Sequence, residues 1–361
     1  MTFVVKLQKW QLHISEHKMV SQKNCRKSIF ALAAVSCLAS AELWAQAKVG
    51  TSSAPFLGIS IGPRGAAMGG AFAAVANDAS TLYWNPGGIA RLEKSNIMVS
   101  HTQWLVGTDF NWAGIVLKVG GSNAFGLSVT QLDYGEEEVT DERNQEGTGA
   151  RWSAQDLAVA VSYARAMTDR FAIGGSFKYI EQKIYNERAS AVAFDLGLVF
   201  VTQFNDMRLG MSISNFGSDL KFDGKDLLKR IDTDPPNSGN NETIVAALKT
   251  DDWPLPLFFR VGLAYDLLRG ARAKVTLVAD ALRPSDNTGV LNAGAEVAIQ
   301  DLLFLRGGYK SLFREESEEG LTYGAGLKYN TGAAGIIHID FAYADFGLLD
   351  NAKMFSLGLT F

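Results

Sequence analysis

Over most of the chain, apolar residues alternate with small, polar or charged ones in short segments, the period-two signature of strands with two unlike faces. In 171–179, Phe171, Ile173, Phe177 and Tyr179 alternate with Ala172, Gly174, Ser176 and Lys178. In 192–200, Val192, Phe194, Leu196, Leu198 and Phe200 alternate with Ala193, Asp195 and Gly197. In 321–329, Leu321, Tyr323, Leu327 and Tyr329 face away from Thr322, Gly324, Gly326 and Lys328, and 336–344 sets Ile337, Ile339, Phe341 and Tyr343 against His338, Asp340 and Ala342. The same reading holds for 95–104, 109–119, 124–133, 152–164, 207–215, 257–266, 272–282, 290–299, 302–310 and 352–361, predicting about fourteen strands. No apolar run after residue 47 approaches the roughly 18 residues of a transmembrane helix.

A soluble sandwich also alternates, so the choice rests on connections and chain ends. The connections at 120–123, 167–170, 203–206, 300–301 and 330–333 are tight, whereas 134–151, 183–189, 216–252 and 311–319 are longer and more polar. Short periplasmic turns and long outer loops alternate in this way. The last strand carries Phe355, Leu357, Leu359 and Phe361 on one face, a form that resembles the signal read by the barrel-assembly machinery of the outer membrane. Trp104, Trp112, Trp152, Tyr163, Tyr179, Trp253, Tyr265, Tyr309, Tyr329 and Tyr343 crowd the predicted strand ends, where an interfacial girdle is expected. The pattern thus predicts an all-β fold: a transmembrane antiparallel β-barrel over 94–361, integral to the lipid bilayer of a bacterial outer membrane, with both ends in the periplasm.

The N-terminus supports export. Lys23, Arg26 and Lys27 precede the apolar run 29–38, and Ala45-Gln46-Ala47 supplies small residues at a cleavage site, so 1–47 reads as a signal peptide, with Met19 as an alternative start. A lipobox ending at Cys37 is the competing reading, but Ala34-Val35-Ser36 lacks its usual leucine. Cys25 and Cys37 both fall inside this segment, so disulfide and thiolate chemistry are excluded from the rest. Removing it takes six of the 34 Lys and Arg and two of the 38 Asp and Glu, leaving 28 against 36 and a net charge of −8. That acidity argues against a nucleic-acid partner.

Residues 48–93 break the alternation and are rich in glycine and alanine. They contain Arg64-Gly65-Ala66-Ala67-Met68-Gly69-Gly70-Ala71, then Asn77-Asp78-Ala79-Ser80, then Trp84-Asn85-Pro86-Gly87-Gly88. Small residues let backbone pack closely, and 77–80 can cap the short apolar run that follows. The segment reads as an N-terminal hatch inside the barrel, with Asn85-Pro86 turning the chain towards the first strand. The order of these motifs resembles the PorV/PorQ family of outer-membrane barrels, related in architecture to the long-chain fatty-acid transporter FadL. That resemblance implies fourteen strands around an occluded lumen and a docking or shuttle role in type IX protein secretion. The transporter branch implies the alternative, a conduit for hydrophobic small molecules; its Asn-Pro-Ala stretch is replaced here by glycines at 87 and 88.

Charges at membrane depth are costly against lipid, so Lys178, Asp195, Arg260, Asp280, Glu296, Arg306, Lys310, Lys328 and Asp340, all opposite the greasy face, are expected to line the lumen. They read either as a selective pathway or as paired charges that fill and stiffen the barrel. Mixed signs with no single-sign ring favour the second. Only His101 and His338 follow residue 47, and neither shares a nucleophile motif with Ser100 or Asp340, so no enzyme, metal or cofactor is expected. The acidic tip Glu136-Glu137-Glu138 with Asp141 and Glu142 reads as a solvated charge run. The loop 216–252 centres on Pro235-Pro236-Asn237-Ser238-Gly239, with a helical turn expected over 243–249; a loop of this length reads either as a binding element for secreted proteins or other secretion components or as a disordered segment.

Overall fold

The computed structural model describes residues 49–361 apart from Ala76, 233–243, Ala271, 315–316 and 333–334. The expected signal peptide over 1–47, and the 235–239 stretch of the long loop, lie outside the described residues. Strands β1 (Asn96–Gln103), β2 (Asp109–Val119), β3 (Asn123–Glu138), β4 (Arg151–Thr168), β5 (Phe171–Ile184), β6 (Glu187–Val201) and β7 (Arg208–Gly217) form one half of a barrel. The other half comprises β11 (Phe258–Arg269), β12 (Ala273–Pro284), β13 (Val290–Ile299), β14 (Leu303–Leu312), β15 (Leu321–Asn330), β16 (Ile336–Asp345) and β17 (Asn351–Thr360). All neighbours are antiparallel, β7 pairs directly with β11, and β1 closes on β17 from Asn96↔Thr360 to Gln103↔Lys353. Closure leaves no unpaired edge, which a bilayer core demands because it offers backbone groups no other partner. Among the described residues no helix is long and apolar enough to cross a membrane.

Side-chain parity explains why these segments form this wall. Ile97, Val99, Phe177, Leu196, Leu305, Ile339 and Leu357 lie exposed on the outside, while their chain neighbours Met98, Ser100, Ser176 and Lys178 are buried within. Outer aromatics pair across strands, with Tyr323 and Tyr343 stacked at 4.9 Å and Phe177 and Phe194 at 5.3 Å. Parity also corrects the expected girdle. Trp112 shares its face with Phe110 and Val116 and is buried in the interior, and Trp104 packs edge-on against Phe346 at 5.1 Å.

The connections contain two further differences. The stretch 183–189 is not a long loop: β5 and β6 stay paired to Ile184↔Glu187, and only Tyr185 and Asn186 turn. Their alternation continues past the apolar belt, so the hairpin projects beyond it. Within the 216–252 excursion lie β8 (Asp223–Gly224), β9 (Leu228–Ile231) and β10 (Ile244–Ala247), and β10 pairs with β9 from Ile244↔Ile231 to Ala247↔Leu228. The helical turn expected there is a strand instead, because Ile244 and Val245 are β-branched and a matching apolar partner strand overrides the local helix preference of Ala246-Ala247-Leu248.

Residues 55–91 thread the interior as four short helical turns: a 3-10 turn (Pro55–Gly58), α1 (Pro63–Ala67), α2 (Thr81–Trp84) and a second 3-10 turn (Pro86–Arg91). Their apolar side chains, including Phe56, Ile61, Leu82 and Ile89, merge with inward wall residues such as Phe110, Trp112 and Ile180 in one buried cluster. Backbone meets backbone where the wall carries glycine. A Cβ on Gly294 would stand 2.5 Å from the Met68 carbonyl oxygen, and one on Gly308 would overlap Gly69 N. Gly307, one residue away and facing outward, has open space around it.

This seating is testable. Gly308→Val should unseat 63–73, at an overpacking cost of ~1–3 kcal/mol, and so accelerate tryptic cleavage after Arg64 by roughly tenfold. Gly307→Val should leave the cleavage rate unchanged, and equal rates in the two variants would refute the close approach.

Candidate functional site

Short helical turns leave most of the hatch's peptide groups without local partners, and buried groups must find them elsewhere. The wall supplies them from inward positions. Asp280 Oδ2 on β12 accepts from Phe72 N and Ala73 N, each at 2.9 Å. On β15, Thr322 Oγ1 accepts from Gly69 N and donates to the Ala67 carbonyl, both at 3.0 Å. Ser212 Oγ on β7 donates to the Trp84 carbonyl at 3.0 Å, and Asn96 Oδ1 on β1 accepts from Ala79 N at 2.9 Å.

The motif residues are the hatch's half of this arrangement. Asn85 is fully buried and every polar atom of its side chain is engaged. Its Nδ2 donates to the Ala73 and Leu198 carbonyls at 2.8 and 2.9 Å, and its Oδ1 accepts from Gly87 N at 3.2 Å. Pro86 then starts the second 3-10 turn, where its missing N–H costs nothing. The turn packs flat on β6, because a Cβ on Gly87 would stand 2.5 Å from the Gly197 carbonyl oxygen. Asp78 accepts from Ser80 N at 2.9 Å and Ser80 Oγ at 2.5 Å, bracing the start of α2.

Arg64 ties these parts together. Its Nε and Nη2 grip Glu296 on β13 in a two-pronged pair, both bonds at 2.7 Å, while Nη1 donates to Asn77 at 2.6 Å and Asp78 at 3.2 Å. Glu296 also accepts from Arg306 Nε on β14 at 2.7 Å, and Arg306 Nη1 reaches Asp340 on β16 at 2.5 Å. The result is an alternating ladder, Asp78–Arg64–Glu296–Arg306–Asp340, running from the hatch through side chains on β13, β14 and β16. Planar guanidinium forks suit such carboxylate bridging, and each member has an opposite charge beside it.

The other inward charges form separate groups. Lys178 contacts Asp195 at 2.7 Å and donates to Asn215 at 2.8 Å. Arg260 is buried among the rings of Tyr83, Trp84 and Phe258, whose centroids lie 5.1, 5.5 and 5.1 Å away, and donates to Tyr83 Oη. Lys310 and Lys328 sit nearer the two mouths, paired with Glu319 at 2.5 Å and Asp301 at 2.6 Å. His338 contacts Thr360 at 3.1 Å and no serine, and His101 faces outward against Asn111 at 2.8 Å. Among the described residues no cluster of three His, Cys, Asp or Glu could hold a metal. Buried Asp156, which accepts from Tyr134 and Gln182, and buried Asp266 were missed in the sequence. The parity of Asp156 with Ala158 and Ala160 carried the signal for it.

Between the hatch and the wall, one cavity of about 20 Å³ lies beside Lys178 and another of about 180 Å³ opens beneath the Arg64 ladder. The first has room for about one water.

Comparison with known proteins agrees with this architecture. The structure is similar to the Ralstonia pickettii toluene transporter TbuX, with 14% identity, a TM-score of 0.52, and coverage of 84% of this chain and 98% of that one. It is also similar to the Pseudomonas putida toluene transporter TodX (14% identity, TM-score 0.49, 83% and 96% covered) and to a Pseudomonas aeruginosa FadL homologue (14%, 0.48, 88% and 99%). At that identity the likeness to TbuX establishes a shared fold. No curated protein matches the chain in sequence. A family profile described as type IX secretion system protein PorV matches residues 43–234, which span the hatch and the first seven barrel strands with β8 and β9 of the following excursion. With that pattern running through more than half its length, the chain belongs to the PorV family and is an integral β-barrel of the outer membrane.

Proposed function

We propose that this barrel is a docking component for secreted proteins in a type IX pathway, working through its outer loops and not by conduction through its lumen. The observation that carries the reading is the filled interior. Hatch backbone is bonded to inward side chains on β1, β7, β12 and β15, the Asn85 side chain donates to the Leu198 carbonyl of β6, and the Arg64 ladder anchors the hatch to β13, leaving small cavities. The outer side offers the opposite surface. Val106, Phe313 and Leu348, on the loops after β1, β14 and β16, are 90%, 90% and 92% exposed, and β9 and β10 expose Leu228, Ile231, Ile244 and Val245. Apolar side chains held beyond the lipid belt favour a protein partner over solvent. The acidic tip around Glu136–Glu138 flanks this surface.

The alternative, a conduit for hydrophobic molecules, draws support from the apolar cluster between hatch and wall. It requires the hatch to move, since Phe56, Ile61 and Leu82 already fill that space.

Two outcomes follow. Replacing 221–252 by a short Gly-Ser linker should abolish co-purification of secreted proteins bearing the pathway's C-terminal signal, while heat-modifiable migration of the barrel persists. A strain carrying this variant that still exports and anchors every such protein would sink the docking role. In planar bilayers the wild-type protein should show no persistent ion conductance. Glu296→Ala, which cuts the ladder and leaves Arg64 only the carboxylate of Asp78 and Arg306 only that of Asp340, at a cost of up to ~3–5 kcal/mol, should produce unstable conductance steps and a lowered unfolding midpoint; steady wild-type conductance would favour the conduit.

A further inference from the structure

The short-turn mouth of the barrel holds a second charged concavity, of about 520 Å³, whose lining includes Arg91, Arg170, Arg208, Arg269, Asp206 and Asp266. Its carboxylates are already engaged. Asp266 accepts from Arg208 Nη1 and Nη2 at 3.2 and 2.8 Å and lies 3.4 Å from both Arg269 and Lys274. Asp206 pairs with Arg269 at 3.1 Å and Arg170 at 3.7 Å.

Arg91 is treated differently. Among the described residues no carboxylate pairs with it; its one bond runs from Nη1 to the Asp169 carbonyl at 3.0 Å. Lys118, also without a carboxylate partner, donates to the carbonyl of Ala90, the residue before Arg91. On the other side stands Arg208, whose Nε is buried without a partner. Burial first, and then the facing Arg208, outweigh the opposing charge of Asp169 and hold the Arg91 guanidinium below its ordinary pKa.

Four arginines (Arg91, Arg170, Arg208 and Arg269) thus meet three carboxylates (Asp169, Asp206 and Asp266) in the lining, with Lys118 adjoining at Ala90 and Lys274 at Asp266, in a chain whose formal net charge is −4. Partly desolvated like charges with open donors are costly until an anion joins them.

We propose that this mouth is a binding site for an acidic segment of a periplasmic protein, whose carboxylates bridge Arg91, Lys118 and Arg208. Three observations favour polypeptide carboxylates. The concavity is wide and open, unlike a closed phosphate cradle. Its guanidinium forks are spread around the rim, which matches several carboxylates at successive positions. Arg208 lies on the inward parity of β7, with buried Gly210, so the site faces the aqueous mouth and not the lipid. The site is on the opposite side from the outer loops, and the inference stands independently of the docking role proposed for them.

The test uses the full chain in a non-ionic detergent and a fluorescein-labelled hexaglutamate peptide read by anisotropy. Saturable binding that weakens steeply with added salt is expected. Arg91→Ala combined with Lys118→Ala should weaken it by about tenfold or more, and Arg283→Ala, at the outer end of β12, should leave it unchanged. If the double variant loses heat-modifiable migration, Arg170→Ala on the exposed turn takes its place, with a smaller but measurable loss. Equal affinity in wild type and the mouth variants would overturn the site. Displacement of the peptide by equimolar inorganic phosphate, or binding of phosphatidylglycerol vesicles in place of the peptide, would overturn the assignment to a protein segment.

Discussion

Everything distinctive about this barrel follows from one constraint: a stretch of chain with little secondary structure of its own is buried where water cannot satisfy its peptide groups. Four short helical turns pair only a fraction of the N–H and C=O groups between Pro55 and Arg91. Several of the others are met by Asp280, Thr322, Ser212 and Asn96 on the wall and by Asn85 from within. The inward face of the barrel therefore acts as a set of caps for the hatch. Polar residues there that would suit a water-filled channel are spent on holding main chain.

The same constraint accounts for the glycines. For wall side chains to reach hatch backbone, the two chains must approach closely, and at Gly294 and Gly308 a single methyl group would prevent it. Glycine in a strand is ordinarily a loss. Here it lets α1 and the residues after it lie against β13 and β14, which in turn brings Arg64 within reach of Glu296. Charge ladder and glycine contacts are thus two aspects of one seating, and the ladder depends on it. An unpaired guanidinium at that depth would be strongly destabilising.

With the lumen filled, the accessible surfaces of the barrel outside the lipid belt are its two ends. The outer end presents apolar side chains on loops and on the β9–β10 hairpin, and the short-turn end presents arginines. These are chemically different surfaces, held apart by the filled barrel, and the two proposed binding roles rest on that separation.

Period-two alternation was enough to locate all fourteen barrel strands, because lipid on one side and protein on the other impose opposite demands on successive residues. The inward placement of Lys178, Asp195, Arg260, Asp280, Glu296 and Arg306 follows from the same parity. Pairings did not follow from it. Arg64 and Glu296 stand 232 positions apart, and only barrel closure and the path of the hatch bring them together. Nor could local pattern distinguish the 183–189 hairpin tip from a loop, reveal β10 before its partner β9 was known, or show that Trp112 points inward. The basic residues of the mouth were invisible for the same reason: Arg91, Lys118 and Arg208 come from the hatch, β2 and β7, and nothing in their sequence neighbourhoods marks them. Sequence carries the periodicity that lipid enforces, residue by residue. Tertiary structure alone decides which charges meet, because that depends on register, closure and the close approach of two backbones.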